Sequence, residues 1–307
     1  MLRNRMAAVA VLCLAAPLAG CSTITVKSDV PVAERLDKAR TLYGEQRLDQ
    51  AAKIFRELSN RSRYDDATAE EATFYLGECY YRKQDHVKAL DAYRALLNEF
   101  RTVRYFNEAI RRQFAIGAAF CLGNISTTWH GRGYGAKILA EALDHQVFGE
   151  YSAQARMLIG NYNFDKRNYD EALIQYELLV SEYSDTPEAV QARYRKALCL
   201  YNMVEGNGYD PAEIEEAIKE FEAARLAASQ QSDARANRER LDDIREKLAD
   251  LQETGARETF DLARFFLKNG NKKAAATYFY QVIEEAPGTQ YAQEARRQLQ
   301  VIQQELN

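Results

Sequence analysis

The segment LGECYYRKQDHVKALDAYRAL, residues 76–96, decides the fold. Leu76 and Gly77 precede Tyr80, a turn-forming stretch intervenes, and Ala89, Tyr93 and Leu96 follow. Small and apolar residues recur three and four apart on both sides of the break, which is the spacing of one face of an amphipathic helix. Two helices joined by a short turn are predicted. The register returns at Ile159, Gly160, Phe164, Ala172, Tyr176 and Leu179, and again at Leu262, Ala263, Phe266, Ala275, Phe279, Val282 and Pro287. The distance from the small residue of the first helix to the alanine of the second is the same in all three.

A small residue in each helix lets the two axes approach at a shallow angle of roughly 20°. Tyr80 and Tyr93 are expected to pack against the neighbouring hairpin. No hairpin buries its face alone, so at least three must stack. Three further copies complete six. The first is Ala39, Leu42, Ala51, Phe55 and Leu58; the third runs Ile116, Gly117 and Phe120, then reaches Ala136, Ala140 and Leu143 after an insertion in its turn. The fifth, Ala197, Leu200, Ala217, Phe221 and Ala224, is stretched, and its second helix opens with Asp210 as cap, Pro211 at the first helical position and Glu213 reaching back. The unit resembles the tetratricopeptide repeat of about 34 residues.

That resemblance implies an all-α fold, a right-handed superhelical solenoid of stacked tetratricopeptide-like hairpins over residues 32–307. The segment Thr289 to Leu306, with Ala292, Ala295, Leu299 and Ile302 on one stripe, is expected to be its C-terminal capping helix. Ser229 to Glu253 is charge-rich, with Ala234, Leu241, Ile244, Leu248 and Leu251 near heptad spacing. Its apolar stripe lasts only about two heptads, so it reads as one long helix docking on the array rather than a dimerising coiled coil.

Residues 1–20 follow different rules. Arg3 and Arg5 precede an apolar run from Met6 to Leu18, too short to span a bilayer but right for a secretory signal. Leu18, Ala19, Gly20 and Cys21 resemble the lipobox of bacterial lipoproteins, which implies cleavage before Cys21 and acylation of that residue. Acyl chains contribute about 0.8 kcal/mol per buried methylene, so several anchor a chain durably without a transmembrane segment. Residues 21–31 form the lipidated cysteine and its tether. Ser22 stands where an aspartate retains many such proteins at the inner membrane, implying a cell outer-membrane destination with the array on the periplasmic face.

Hydrophobic residues make up 47% of the 307, and the formal net charge is −4. Loss of residues 1–20 removes two of 41 basic residues and no acid, leaving 39 against 45, a net charge of −6. Nucleic acid is excluded as a partner, since binding its backbone needs a basic footprint. Cys79, Cys121 and Cys199 lack metal-ligand spacing, and Cys79 and Cys199 read as core fillers, so neither a metal nor a cofactor is expected. Gly131, Gly133 and Gly135, beside Trp129, His130 and Arg132, lack the strand and hydroxyl residue of a phosphate loop and read as a flexible turn. His86, His130 and His145 pair with no nucleophile, and the carboxylates fall on solvated faces and caps, so no catalytic residue is proposed.

A non-enzymatic array of this kind binds through the groove lined by the first helix of each hairpin. The register puts Arg40, Tyr43, Phe74, Glu78, Tyr81, Arg82, Met157, Asn161 and Phe164 there, expected as exposed aromatics and charges suited to an extended peptide. Lipobox, short tether and stacked hairpins, ending in Glu258, Leu262, Ala263, Phe265, Phe266, Leu267, Lys268, Gly270, Pro287 and Thr289, resemble the BamD-like lipoprotein family. That family serves the outer-membrane β-barrel assembly machinery. The likeness implies docking on the barrel-forming assembly subunit and receipt of nascent outer-membrane protein segments. Arg101 and Ser184, where a proline often closes a repeat, depart from the pattern, as do the two insertions and the long charged helix. Two other classes fit the same layout: a pilotin-like or cell-wall and cell-division coordinating lipoprotein, and an envelope enzyme clamping substrate with its repeats.

Overall fold

The apolar stripe of each repeat runs through two helices and is interrupted by residues that stop the first. A computed structural model describes residues 30–100, 104–207, 210–229 and 236–306, so Cys21, the signal segment and most of the tether lie outside the described residues. Within the described residues there are thirteen helices and no strand, giving six hairpins and a closing helix. The all-α tetratricopeptide-like class expected from the sequence is the one found. No helix of the described residues is long and apolar enough to cross a membrane.

The helices fall into two compact units, one ending at Thr102 and one starting at Val103. The first holds α1 (Val32–Gly44), α2 (Leu48–Leu58), α3 (Asp66–Arg82) and α4 (His86–Glu99). Each helix packs on the next, and α1 also meets α3, around a core that includes Ala39, Leu42, Phe55, Leu58 and Ala72. The second unit holds α5 (Phe106–Cys121), α6 (Arg132–His145), α7 (Ser152–Asp165), α8 (Tyr169–Glu182), α9 (Pro187–Asn207), α10 (Pro211–Ser229), α11 (Ala236–Lys268), α12 (Lys272–Glu285) and α13 (Gln290–Leu306). Here too each helix packs on its successor, while α5 meets α7, α7 meets α9 and α11 meets α13.

Five of the hairpins end their first helix alike. Gln46, Gln84, Gly123, Arg167 and Gly270 adopt positive φ just past the first helix. The next amide then reaches back five residues: Arg47 N to Leu42 O at 2.9 Å, Asp85 N to Tyr80 O at 3.0 Å, Asn124 N to Ala119 O at 2.9 Å, Asn168 N to Asn163 O at 3.0 Å and Asn271 N to Phe266 O at 2.9 Å. This is the six-to-one bond of a Schellman C-cap. In two of these turns the same residue caps the following helix, Asp85 accepting from Lys88 N at 3.3 Å and Asn271 from Ala274 N at 3.1 Å. The predicted cap at Asp210 is present as well, its carboxylate accepting from Ala212 N at 2.8 Å.

The small positions work differently from the sequence expectation. A β-carbon on Gly77 would lie 2.6 Å from Tyr93 Cε1, and one on Gly160 would lie 2.7 Å from Tyr176 Cε1. Each glycine therefore seats the ring of its own hairpin's tyrosine rather than only letting two backbones approach. Tyr93 closes α3 on α4 through Gly77, Phe74 and Glu78. Tyr80 reaches the neighbouring hairpin, since Arg56 of α2 donates to its hydroxyl and lies 5.9 Å over its ring. Bare backbone contact occurs at the third hairpin, where a β-carbon on Gly135 would meet Cys121 N at 2.5 Å and Gly117 O at 2.6 Å.

Two boundaries also move. Gly133 and Gly135, expected in a flexible turn, lie in the first turn of α6, where a β-carbon on Gly135 would run into the backbone of α5 and one on Gly133 into the Tyr162 hydroxyl of α7. Ser229 belongs to α10, Ala234 lies outside the described residues, and the described part of the charge-rich segment, from Ala236, runs without a break into the first helix of the last hairpin. The resulting α11 is 33 residues long, about 50 Å at 1.5 Å per residue. Its Ile244, Leu248 and Leu251 pack with Ala197, Leu200 and Phe221, and its Ala256, Phe260 and Ala263 pack with Ala275, Phe279 and Ala295. The closing helix buries Ala292, Ala295, Leu299 and Ile302 as its stripe predicts.

Candidate functional site

In the first unit the candidate groove residues sit on α1 and α3 and are tied to one another. Arg40 is exposed and donates from Nε to Glu71 at 2.6 Å and from a terminal nitrogen to Asp37 at 2.7 Å. The Glu71 carboxylate raises the Arg40 pKa by accepting that bond. Tyr43, half-buried, donates to Glu78 at 3.3 Å, lies edge-on to Tyr75 at 5.3 Å, and carries the Arg82 guanidinium 4.0 Å over its ring. Burial, followed by the Glu78 charge, pushes the Tyr43 hydroxyl pKa up, so it stays a donor at any ordinary pH. Tyr93 donates to the other Glu78 oxygen at 2.7 Å. Tyr81 is half-buried and meets His86 edge-on at 5.7 Å.

Not all of these side chains are exposed. Phe74 is 8% exposed, packed beside Tyr75 and Tyr93, and Glu78 is 5% exposed, held between two hydroxyls. What the α1 and α3 face offers a ligand is Arg40 and Arg82, with the half-buried rings of Tyr43 and Tyr81. On α7 of the second unit, Met157 is 7% exposed and belongs to the core. Asn161 accepts from the Tyr176 hydroxyl at 2.8 Å. Phe164 is half-buried, edge-on to Tyr169 at 5.4 Å, with Arg195 5.2 Å from its ring.

Two constellations escaped the sequence reading. Lys196, on α9, bridges Glu220 of α10 at 3.0 Å and Glu177 of α8 at 3.5 Å. Between α9 and α11, Tyr194 donates to Asp243 at 2.6 Å and Tyr201 to Asp250 at 2.7 Å, with Arg240 5.8 Å from the first ring and Lys247 4.8 Å from the second. The two rungs repeat seven residues apart on both helices, which fixes the register of the charged helix. The signal was there to read: a base, an acid and an apolar residue recur at heptad spacing opposite two tyrosines.

The reactive groups are arranged for packing. Burial pushes the Cys79 thiol up to about 12, Cys121 to about 11 and Cys199 to about 12, away from the thiolate a nucleophile needs. His86 is lowered by burial, with Asp85 acting against it. His130 lies on the Tyr134 ring at 4.1 Å and its Nδ1 meets Thr127 Oγ1 at 2.9 Å. Among the described residues no three His, Cys, Asp or Glu side chains converge to hold a metal ion.

A family model described as YfiO, outer membrane lipoprotein, matches residues 134–307, more than half of the chain. The chain belongs to that family. A tetratricopeptide repeat model matches residues 36–102 of this YfiO-family chain, the stretch that carries α1 to α4. Among curated proteins, the outer membrane protein assembly factor BamD of Caulobacter vibrioides is 29% identical over 148 residues, which is 48% of this chain and 46% of that protein. The chain thus aligns with about half the length of that relative. Among solved structures, the apo form of RapI is 15% identical with a TM-score of 0.36 over 88% of this chain and 99% of that one. A tetratricopeptide repeat protein from Parabacteroides merdae is 12% identical, also at 0.36, over 89% and 98%.

Proposed function

We propose that this YfiO-family protein is a lipid-anchored, periplasm-facing scaffold that binds partner proteins and unfolded segments during assembly and insertion of outer-membrane β-barrel proteins. The observation that carries this reading is the family match over residues 134–307. Likeness to a protein named as an outer-membrane assembly factor supports it. The site chemistry is in keeping with binding rather than catalysis: thiols held as neutral acids, carboxylates spent on hydroxyls and guanidiniums, and an α1 and α3 face of two arginines and two tyrosine rings. Arginine and tyrosine supply planar, amphipathic contact area of the sort that dominates binding hot spots.

Anchoring rests on the Leu18 to Cys21 motif. Mass spectrometry of the protein from isolated envelopes should find an acylated amino-terminal cysteine at position 21, and Cys21→Ser should move the chain to the soluble fraction. The assembly role is tested by depletion. Outer-membrane barrel proteins should fall while inner-membrane proteins hold steady; barrel levels that stay constant through depletion would overturn the reading.

A further inference from the structure

Where α11 passes from one hairpin to the next, it leaves a hollow that no sequence pattern announces. Leu251 still belongs to the α9 and α10 core, and Ala256 already belongs to that of α12 and α13. Between them α11 carries Gln252, Glu253, Thr254 and Gly255, and nothing large enough to fill the gap. The start of α10 and the end of α12 stand on either side of this handover. Together they enclose a cavity of about 380 Å³ with Leu251, Ile214, Ile218 and Val282 as its apolar lining. That volume lies within the range of about 300–1,000 Å³ typical of ligand pockets.

The charge of the wall narrows what can enter. Glu215, Glu258 and Glu285 line the cavity, one from each of the three helices, and no lysine or arginine does. Among the described residues, Glu258 alone of the three has a basic side chain in contact, Arg257 at 3.5 Å, and both are half-buried. An anionic headgroup, a nucleotide or a second copy of this net-negative chain would be repelled. An apolar side chain flanked by cations would satisfy floor and rim together.

The geometry points to this hollow as a docking pocket for a basic, amphipathic segment of a partner protein, one leucine-sized side chain seated on Ile214 and Ile218 with lysine or arginine on either side against Glu215, Glu258 and Glu285. This deepens the scaffold reading and rests on it. Gly255 gives the means of a clean test. A β-carbon there would meet only Ile214 Cγ2, at 3.5 Å, so a larger side chain fits the fold and fills the pocket.

The probe is a fluorescein-labelled peptide, GKLLRKG, titrated by anisotropy against the full-length protein in detergent, beside an acidic counterpart, GELLEEG, and a polar one, GKSSRKG. The basic leucine peptide should bind, and the other two should bind at least about tenfold more weakly, a difference of about 1.4 kcal/mol. Gly255→Ala should keep binding and Gly255→Leu should abolish it, both with thermal midpoints at or above the parent. Joint Glu258→Gln and Glu285→Gln should weaken binding about tenfold and flatten its salt dependence. No binding of the basic probe, equal binding of the acidic one, or binding that survives Gly255→Leu each overturns the pocket. These titrations need no outer-membrane client, so failure of the assembly role would show in the depletion experiment and leave them untouched.

Discussion

Hairpins α3/α4 and α7/α8 differ from α1/α2 and α11/α12 in one pair of residues. In the first two, a glycine faces a tyrosine, Gly77 under Tyr93 and Gly160 under Tyr176, and the residue after the glycine accepts the hydroxyl, Glu78 at 2.7 Å and Asn161 at 2.8 Å. In the other two, alanine and phenylalanine occupy the same register, Ala39 with Phe55 and Ala263 with Phe279, all fully buried. There the next residue is Arg40 or Arg264, neither able to accept. Tyrosine comes with glycine and an acceptor; phenylalanine comes with alanine and a cation. The crossing thus has two internally consistent solutions, and mixing their parts should fail.

The largest loss should follow removal of the ring. Tyr93→Ala empties a fully buried aromatic site and is expected to destabilise the first unit by about 3–5 kcal/mol in chemical denaturation. Next comes the mixed pair. Gly77→Ala drives a β-carbon into the Tyr93 ring and should lose roughly 1–3 kcal/mol, even though alanine favours the helix. Adding Tyr93→Phe should make the combined loss smaller than the sum of the two single losses, because it completes the alternative solution. Strict additivity in that double-mutant cycle would show that the two patterns are unrelated.

The two tyrosine hairpins should themselves separate. Tyr93→Phe takes a donor from a carboxylate that is 5% exposed and should lose about 1–3 kcal/mol, while Tyr176→Phe leaves a half-exposed amide that water can serve and should lose about 0.5–1.5 kcal/mol. Equal losses would mean that the charge on Glu78 is immaterial. The smallest effect belongs to the turns. Gln84 and Arg167 hold positive φ without being glycine, so Gln84→Gly and Arg167→Gly should each gain up to about 1 kcal/mol, whereas Gly270→Ala should lose a similar amount.

Much of this architecture was legible from residue spacing. The small residue, the aromatic sixteen positions on and the closing stripe of α13 follow from periodicity, because each hairpin's own faces are written in its own residues. Exposure of the groove was not. Phe74, Glu78 and Met157 lie on faces that a helical register cannot grade, since whether they are covered depends on the helices packed beside them. Continuity of α11 was also hidden, because its charged first half and apolar second half read as separate elements until one sees that each half faces a different core. The tyrosine and aspartate rungs on α9 and α11 were missed for the same reason: their partners lie 49 residues apart in the chain.

Because α11 is shared by two neighbouring cores, those cores do not melt independently. A hairpin such as α3/α4 opens by losing its own closure, but fraying the last hairpin also unwinds the far end of the rod against which Leu200 and Phe221 rest. Amides from Ile244 to Ala263 should accordingly exchange with solvent as one cooperative block, with protection set by the weaker end. A rigid strut through the carboxyl-terminal unit converts a row of separable modules into a lever, so that strain applied at one hairpin is felt at its neighbour.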